Sequence, residues 1–396
     1  MQRALVLNGP NLNLLGLREP DVYGTTTLAE LEEMVAAWGR DLGLDIECEQ
    51  SNHEGELIDL IQGARDDFGG IVLNAGALTH YSYAIHDAIL ASGLPAVEVH
   101  ISNIRAREEW RRVSVIAPAC EYVVYGRGLR GYRDALARLA TSDVFPPMAI
   151  HYGEGPHRLG ELRVPVGAGP HPVAALFHGG FWRDQWTRDL MDGLAVDLVE
   201  RGFATWNIEY RRLGSGGGWP LTLLDVAASI DALAGLATEH ALDLDRVTAV
   251  GHSAGGQLAL WSVARPDLYQ AQPPAEPKVV PVTAVTLAGV NDLAAAHRLD
   301  LGAGAVEEFL RRTPDDGSSR FASASPMALL PLGARQIVAH GAADEVIPVD
   351  LSREYAAAAR DAGDEVTLVV IDAADHFDVI DPAGAAWKQV AAALAR

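Results

Sequence analysis

Lysine and cysteine are scarce in this chain of 396 residues. Its two lysines are Lys278 and Lys388, so everything before Lys278 lacks the amine that Schiff-base chemistry with a carbonyl substrate requires. The two cysteines, Cys48 and Cys120, show no CxxC or mixed Cys/His spacing. This usage indicates a reducing compartment and argues against a structural zinc site.

Long apolar runs and an excess of positive charge are also absent. No stretch approaches the roughly 20 apolar residues that cross a bilayer, and the start MQRALVLNGPN lacks the features of a signal peptide. Lys and Arg number 31 against 53 Asp and Glu, and the net charge of −22 argues against sequence-independent binding of nucleic acid or anionic membranes. We expect a cytoplasmic protein that acts on small-molecule substrates.

The length and the hydrophobic pattern predict two α/β domains, because the chain is long for a single one. Within residues 1–142 five strand patterns alternate with helix patterns, and the first helix starts at a capping box formed by Thr27 and Glu30. Strands linked by crossover helices give a flavodoxin-like, doubly wound parallel sheet. Tandem prolines then interrupt the pattern and mark residues 143–149 as a linker.

Residues 150–396 resume the alternation of strands and helices. The strand-like stretches include VAALFHGG, RVTAVGHS and RQIVAHG, and the helix-like stretches include GGQLALW. We predict a second, larger parallel α/β sheet here, with residues 291–330 forming a cap or excursion outside it.

Polar residues cluster where the predicted strands of the first half end. The clusters are Asn8–Tyr23, Ser51–His53, Asn74–His80 and His100–Arg111. Sheets of this kind bind ligands at the carboxyl ends of their strands, so these clusters define a candidate site. A Walker phosphate loop is excluded because this half has no lysine. The stretch GRGLRG matches GxGxxG, but it follows the last strand and no ribose-binding acid succeeds it, so a glycine-rich turn is the favoured interpretation.

Five ordered blocks across residues 1–142 resemble type II 3-dehydroquinate dehydratase. They read NGPNLNLLGLREPDVYG, QSNHEGELID, LNAGALTHYS, EVHISNIRAREEWR and a closing GxGxxGY. The resemblance implies that this half dehydrates 3-dehydroquinate to 3-dehydroshikimate, in the shikimate pathway, without cofactor or metal. It also implies homo-oligomers, in which trimers assemble into dodecamers.

The residue types favour an enolate route for such a dehydration. Loss of water from a β-hydroxy ketone removes a proton beside the carbonyl and protonates the departing hydroxyl. Because the lysine imine route is closed, the reaction needs a base, a donor for the enolate oxygen and an acid. Tyr23 is a base only when ionised near neutral pH, and lowering its pKa by about three units from about 10 requires roughly 4 kcal/mol. Arg18, on the same loop, is a source of that stabilisation.

The resemblance assigns a role to each of these residues. It implies Tyr23 as the base with Arg18 beside it, Asn11 holding a water at the enolate oxygen, and His100 as the acid. Glu98 would orient His100, since residues i and i+2 of a strand share a face. The implied substrate-binding residues are Asn74, His80, the backbone of Ile101 and Ser102, Arg111 and, reaching into a neighbouring subunit's site, Asp87.

Taken one at a time, these residues have structural interpretations as well. Tyr23 could be a loop aromatic that covers the sheet, His100 a strand-end histidine, and Asn11 a turn former. The order of the five blocks favours the catalytic interpretation. Substrate affinity and subunit packing are put in doubt by departures from the family pattern at Tyr81, Arg105, Val113 and Val115.

The stretch GHSAGG in the second half predicts a nucleophile elbow around Ser253. It follows the strand pattern RVTAV and opens a helix pattern, which is the context that GxSxG requires. A serine nucleophile needs a base, and the base needs an orienting acid. In the chain order Ser, Asp, His, later strand ends supply Asp344 and His376, while His340 and Asp292 are rival candidates.

The stretch HGGFW, His178–Trp182, follows an early strand, where hydrolases keep the amides of the oxyanion hole. We therefore predict that the N–H groups of Gly180, Phe181 and Ala254 hold the oxyanion. Residues 150–396 resemble the α/β-hydrolase superfamily, and HGGFW with DHFDVIDP resembles the kynurenine formamidase and related esterase branch. That branch cleaves small aryl formamides or esters. Four tryptophans either line an aromatic pocket or belong to the core, namely Trp182, Trp186, Trp206 and Trp219.

The leading hypothesis is a bifunctional enzyme with an N-terminal dehydratase and a C-terminal serine hydrolase, neither of which needs a cofactor or a metal. Release of quinate-type acids from aromatic esters by the hydrolase would suit such a neighbour. The alternative is that one half is catalytically silent and serves as an oligomeric scaffold for the other. The intact set of Tyr23, Arg18 and His100 argues against this alternative.

Overall fold

The computed structural model describes residues 2–18, 24–104, 107–141, 147–268, 276–313, 319–382 and 384–395. The chain divides into two compact units, Met1–Pro146 and Pro147–Arg396. Of the predicted linker at 143–149, residues 143–146 lie outside the described part of the chain, and Met148 and Ala149 belong to the first strand of the second unit.

The first unit is a five-stranded parallel sheet in the order β2-β1-β3-β4-β5. Its strands are β1 Gln2–Asn8, β2 Leu44–Gln50, β3 Gly70–Asn74, β4 Ala96–His100 and β5 Tyr122–Tyr125. Its helices are α1 Leu28–Asp41, α2 Glu54–Gly63, α3 Tyr83–Ser92 and α4 Arg130–Thr141. The predicted doubly wound fold is confirmed.

Alternating residues of the central strands supply the two cores of this unit. On β3, Val72 packs into one apolar cluster, whereas Ile71 and Leu73 pack into the cluster on the opposite face. The predicted capping box starts α1, where Thr27 and Glu30 bond to each other's backbone N–H groups. Burial on both faces explains why these strands read as continuous apolar runs.

The second unit is an eight-stranded mixed sheet in the order β13-β12-β11-β10-β8-β9-β7-β6. Its strands are β6 Met148–His151, β7 Leu159–Arg163, β8 His171–Phe177, β9 Ala204–Ile208, β10 Leu242–His252, β11 Thr283–Leu287, β12 Arg335–Gly341 and β13 Val366–Ile371. Its helices are α5 Asp192–Glu200, α6 Leu221–Leu236, α7 Ala254–Val263, α8 Arg265–Leu268, α9 Leu293–Arg298, α10 Ala305–Leu310, α11 Arg320–Ala324, α12 Val349–Asp361 and α13 Ala385–Leu394.

The prediction of a purely parallel second sheet is wrong at one edge. Strands β6 and β7 form an antiparallel hairpin, and β7 also runs antiparallel to β9. The hairpin escaped prediction because β6 has four residues, three of them exposed, and offers no apolar run. The remaining pairs of neighbouring strands in this sheet are parallel.

The excursion predicted at residues 291–330 carries α9, α10 and α11 between β11 and β12. Residues of these short helices, such as Leu293 and Phe309, join the same core as β8 and β10. Within the described residues no helix is both long enough and apolar enough to cross a membrane.

Candidate active sites

A cavity opens at the carboxyl ends of the strands in the first unit. Asn74 and His100 are the last residues of β3 and β4, and both face this cavity together with residues of the loops that follow β1 and β4. Eight of the predicted site residues line it, namely Asn11, Arg18, Asn74, His80, His100, Ile101, Ser102 and Arg111. Tyr23 lies outside the described residues, as does Arg105.

His100 is held by a fully buried carboxylate. Its Nε2 lies 2.8 Å from Oε1 of Glu98, two residues earlier on β4. Ser114 approaches the same carboxylate, with its Oγ 2.9 and 2.8 Å from the two Glu98 oxygens, and accepts the N–H of Ala117 at 2.9 Å. Because Nε2 faces Glu98, Nδ1 is the ring nitrogen that is turned away from this carboxylate. Ser114 was not among the residues predicted from the sequence, although it lies in the stretch that follows the EEWR sequence.

If the first unit dehydrates 3-dehydroquinate, as the resemblance implies, replacing Ser114 by Ala is expected to lower kcat about tenfold and to leave KM nearly unchanged. The buried Glu98 carboxylate loses one of its donors, which costs about 1–3 kcal/mol and loosens the orientation of His100. Steady-state kinetics on 3-dehydroquinate would measure the change. Ser92→Ala is the matched control, because Ser92 likewise donates its hydroxyl, to Ile89 O on α3, and is more deeply buried than the half-buried Ser114. An equal loss in both variants would argue against a role for Ser114 at this site.

Asn74 is oriented by a buried tyrosine from the closing GxGxxGY block. The Tyr132 hydroxyl donates to Asn8 Oδ1 at 2.6 Å and accepts from Asn74 Nδ2 at 2.9 Å. Burial raises the pKa of Tyr132 far above its ordinary range, so the hydroxyl keeps its proton as a donor. Asn74 Oδ1 accepts the Gly76 N–H at 3.3 Å, which fixes the direction of the amide.

His80 and the loop at 107–113 form one wall of the cavity. His80 Nδ1 lies 2.7 Å from the Val113 carbonyl oxygen, and its ring meets Trp110 edge-on at 5.3 Å. Burial lowers the pKa of His80 below its ordinary value, so the neutral ring donates from Nδ1 and keeps Nε2 as an acceptor. Since the partner is a backbone oxygen, the departure at Val113 leaves this contact intact.

Arginines give the cavity its positive charge. Arg111 Nε lies 3.0 Å from Glu108, and its guanidinium stacks over Trp110 at 4.1 Å. Arg107 also lines the cavity, 3.4 Å from Glu108, and was not singled out among the predicted site residues although it lies within the EVHISNIRAREEWR block. Asp87 is absent from this cavity wall. It is exposed on α3, where it meets His86 at 3.1 Å, so its role across a subunit boundary stays a prediction.

Ser253 sits on a tight turn between β10 and α7 in the second unit. Its φ of 56° and ψ of −121° lie in a region that L-residues rarely adopt. Side chains at the flanking glycines would collide with backbone, Gly251 with the Gly255 carbonyl and Gly255 with the Phe177 carbonyl. This is the geometry of a nucleophile elbow.

Asp344 and His376 meet beyond the ends of β12 and β13. His376 Nδ1 lies 2.7 Å from Asp344 Oδ2, and the other carboxylate oxygen accepts the N–H groups of Val346 and Ile347, both at 2.8 Å. The His376 carbonyl lies 2.9 Å from Nε2 of His252, next to the serine. Burial alone would raise the pKa of Asp344, but hydrogen bonds from His340 and His376 take it well below its ordinary value. The carboxylate is therefore ionised.

The two rival candidates have different surroundings, His340 beside Asp344 and Asp292 at the start of α9. His340 is fully buried, with Nε2 2.9 Å from the Ile347 carbonyl oxygen and 3.0 Å from Asp344 Oδ2, and with Nδ1 2.7 Å from the Ser352 hydroxyl. Asp292 caps α9 by accepting the N–H groups of Ala294 and Ala295. His340 thus contacts the same oxygen of the Asp344 carboxylate as His376 does.

If the second unit hydrolyses esters, as the resemblance implies, replacing His340 by Phe is expected to lower kcat/KM for p-nitrophenyl acetate about tenfold. The substitution removes a partner of the buried Asp344 carboxylate, which costs about 1–3 kcal/mol and loosens the orientation of His376. Steady-state kinetics at neutral pH would measure the loss. His171→Phe removes another buried histidine at the start of β8 and should leave kcat/KM unchanged. An unchanged kcat/KM in His340→Phe would contradict a supporting role for His340.

The predicted oxyanion loop packs against Ser253, the predicted nucleophile. A Cβ at Gly179 would come within 2.8 Å of the Ser253 Cβ, so only glycine allows this approach. Gly180 and Phe181 follow with positive φ values of 109° and 51°. Ala254 is the first residue of α7, so its N–H has no partner within the helix. The loop and the helix start are therefore positioned side by side.

Of the four tryptophans, two are fully buried, one lies near His376, and one is partly buried against the core. Trp182 and Trp206 are fully buried, Trp182 stacked on Phe309 at 4.4 Å and Trp206 bonded to Ser229 O. Trp186 lies 5.9 Å from Phe377, the residue after His376. Trp219 is partly buried against the main core of the unit. Among the described residues, no group of three or more His, Cys, Asp or Glu could hold a metal ion.

The first unit matches a known family over nearly its whole length. The dehydroquinase class II profile matches residues 2–140. A 3-dehydroquinate dehydratase of Thermus thermophilus is 60% identical over 139 residues, which is 35% of this chain and 93% of that protein.

The second unit matches the BD-FAE family profile at residues 163–358. The native structure of esterase 2 from Thermogutta terrifontis is 21% identical with a TM-score of 0.52, covering 63% of this chain and 90% of that one. A truncated carbohydrate esterase from gut microbiota is 16% identical with a TM-score of 0.56, covering 62% of this chain and 94% of that one. These likenesses show the fold, and the predicted α/β-hydrolase architecture is confirmed.

Proposed function

The chain belongs, through residues 2–140, to the dehydroquinase class II family, and from this premise we propose that its first unit dehydrates 3-dehydroquinate to 3-dehydroshikimate. The main support for the proposal is the cavity at the strand ends. There His100, which is hydrogen-bonded to Glu98, lies with Asn74, His80 and the arginines. A cationic, amide-lined cavity suits a hydroxylated carboxylic acid.

In this mechanism the Tyr23 phenolate removes the proton beside the carbonyl, with the Arg18 charge stabilising the phenolate. A water held by Asn11 donates to the enolate oxygen. The enolate then collapses, the C–O bond to the departing hydroxyl breaks, and His100 supplies the proton that completes the water molecule. Asn74, His80, the backbone of Ile101 and Ser102, and Arg111 hold the carboxylate and hydroxyls of the substrate.

The test is the absorbance of the product. Purified chain mixed with 3-dehydroquinate should show the rise in absorbance that accompanies formation of the conjugated enone. If folded protein shows no rise in absorbance, the alternative is favoured in which the first unit is catalytically silent and serves only as an oligomeric scaffold.

We propose further that the second unit is a serine hydrolase. Ser253 attacks the acyl carbon while His376 takes its proton and Asp344 steadies the resulting imidazolium. The N–H groups of Gly180, Phe181 and Ala254 hold the tetrahedral oxyanion. His376 then protonates the leaving group, and water releases the acyl group by the reverse sequence. The 2.7 Å contact between His376 and Asp344 supports this assignment.

A fluorophosphonate probe tests the hydrolase assignment directly. The probe should label the chain at Ser253, as located by peptide mass spectrometry, and an unlabelled Ser253 would remove the basis for the assignment. The substrate we propose is a small ester or an aryl formamide. A panel of aryl formamides, simple esters and aromatic esters of quinate-type acids, with mass-spectrometric product detection, would separate these classes.

We also propose that the first unit assembles with copies of itself, as trimers or as a dodecamer built from four trimers. The outer face of α3 exposes Tyr83, Asp87 and Leu90 at helical spacing, and Tyr81 and Trp110 are exposed as well. Large exposed apolar groups of this kind are typical of association surfaces. In such an assembly Asp87 would reach the site of a neighbouring copy. Analytical ultracentrifugation of the full chain would measure the state.

A further inference from the structure

The loop that carries Asn11 is tied by its backbone to two neighbouring strands of the first unit. On one side, the Gly9 N–H donates to the carbonyl oxygen of Asn74, the last residue of β3, at 2.7 Å. On the other side, the Asn11 N–H donates at 2.8 Å to Oδ1 of Asn52, which lies just beyond the end of β2. Pro10, between them, has no N–H to donate. These two contacts therefore fix the donor groups at the start of the loop.

The Asn52 side chain is itself attached to the end of β2. Nε2 of Gln50 lies 3.2 Å from Asn52 Oδ1 and 3.3 Å from the Gly9 carbonyl oxygen, so it bridges the two segments. The Ser51 N–H donates to the Asn8 carbonyl oxygen at 3.0 Å and continues the pairing of β2 with β1. The Asn52 oxygen is therefore held at the point where the loop leaves β1.

Asn11 uses its backbone for these contacts. It has a left-handed conformation, with φ of 67° and ψ of 2°, which asparagine adopts more readily than most L-residues. It precedes the short helical turn Leu12–Leu14, but its side chain does not cap that turn. Asn11 lines the cavity together with His100. The hydrogen bond to Asn52 therefore holds the residue while leaving its side-chain amide for a ligand.

Asn52 does not line the cavity itself. It is exposed, and the described residues of the cavity wall come from the ends of β3 and β4 and from the loops that follow β1, β3 and β4. The cluster Ser51–His53 was predicted from the sequence to lie at a strand end, and no residue in it received a role. An effect of Asn52 on the reaction therefore passes through the loop that carries Asn11.

We infer that Asn52 is a positioning residue for the dehydration. Its side-chain oxygen holds the Asn11 backbone so that the Asn11 amide keeps a water molecule at the enolate oxygen. The contact joins a neutral acceptor to a backbone donor, so it sets the position of Asn11 and leaves the charge of the cavity unchanged. This inference rests on the proposed dehydratase function of the first unit.

The test variant is Asn52→Leu, which has a similar size and no acceptor. We expect kcat for 3-dehydroquinate to fall about tenfold, because misplacing a group that acts on the reacting atoms by about 1 Å costs up to about 100-fold. KM should change less than about twofold, since the enolate forms only after the substrate has bound. Asn52→Asp keeps an oxygen that accepts the Asn11 N–H, and its kcat should stay within about twofold of the wild type.

A double-mutant cycle with Asn11→Gly separates positioning from a general structural effect. Glycine adopts the backbone conformation of Asn11 and lacks the amide. In this background Asn52→Leu should lower kcat less than about twofold, because the group that it positions is already absent. A further tenfold loss in the double variant would show that Asn52 acts on another part of the molecule and would overturn the inference.

Gln62→Leu is the matched control. Gln62 is another exposed amide, near the end of α2 and outside the cavity wall, and its replacement should leave kcat unchanged. Wild-type kcat in Asn52→Leu would overturn the inference, as would an equal loss in Gln62→Leu. Should Asn52→Leu not fold, Asn52→Ala decides by the same cycle. A folded wild-type chain that forms no enone from 3-dehydroquinate would overturn the proposed function, and the inference with it.

Discussion

Replacing Ser253 by Ala is expected to lower kcat/KM for ester or formamide hydrolysis by about 10⁴-fold or more. The substitution removes the nucleophile, and the oxyanion amides alone sustain only weak catalysis. The turn around Ser253 also has a conformation that alanine tolerates no worse than serine, so the second unit should stay folded. Hydrolysis of p-nitrophenyl acetate and of an aryl formamide would measure the loss.

The first unit supplies the control for this variant. Dehydration of 3-dehydroquinate by Ser253→Ala should match the wild type, because the cavity around His100 draws all of its described lining residues from the first unit. Hydrolysis that continues at the wild-type rate would show that another group attacks the substrate, and the assignment of Ser253 would then be wrong.

Tyr23→Phe is expected to reduce the kcat for dehydration about 10³-fold, within the range that loss of a general base produces. The phenyl ring keeps the shape of the side chain but has no ionisable hydroxyl. Because the substrate is held by the other groups of the cavity, KM should change little. Steady-state kinetics followed by enone absorbance would measure both values.

The hydrolase provides the matching control for Tyr23→Phe. Labelling of Ser253 by the fluorophosphonate probe should be as fast as in the wild type, which reports an intact second unit. Dehydration at undiminished speed in this variant would require a different base. The enolate route with a phenolate would then have to be abandoned.

The sequence predicted both folds because buried parallel strands read as apolar runs and the helices between them carry amphipathic patterns. It missed the β6–β7 hairpin, whose four exposed or half-exposed residues in β6 resemble a linker. Edge strands bury few side chains, so their sequences show little hydrophobic periodicity from which a strand could be predicted.

The candidate residues that were predicted from the sequence are those that belong to a recognisable motif. Ser253, Asp344 and His376 stand at strand ends in the expected order, and Glu98 shares a strand face with His100. Their supports come from distant parts of the chain and follow no spacing rule. Ser114 reaches Glu98 from 16 residues away, and Asn52 reaches Asn11 across 41 residues. Such partners become visible only once the strands are arranged in space.

The backbone at Ser253 has a consequence for how this position evolves. A conformation of this kind costs an L-residue on the order of 1–3 kcal/mol, and glycine would adopt it with much less difficulty. Selection for folding stability alone would therefore favour glycine at position 253. A side chain with a hydroxyl at this strained point of the turn is what the proposed role of Ser253 as nucleophile requires, and it lowers the stability of the fold in exchange.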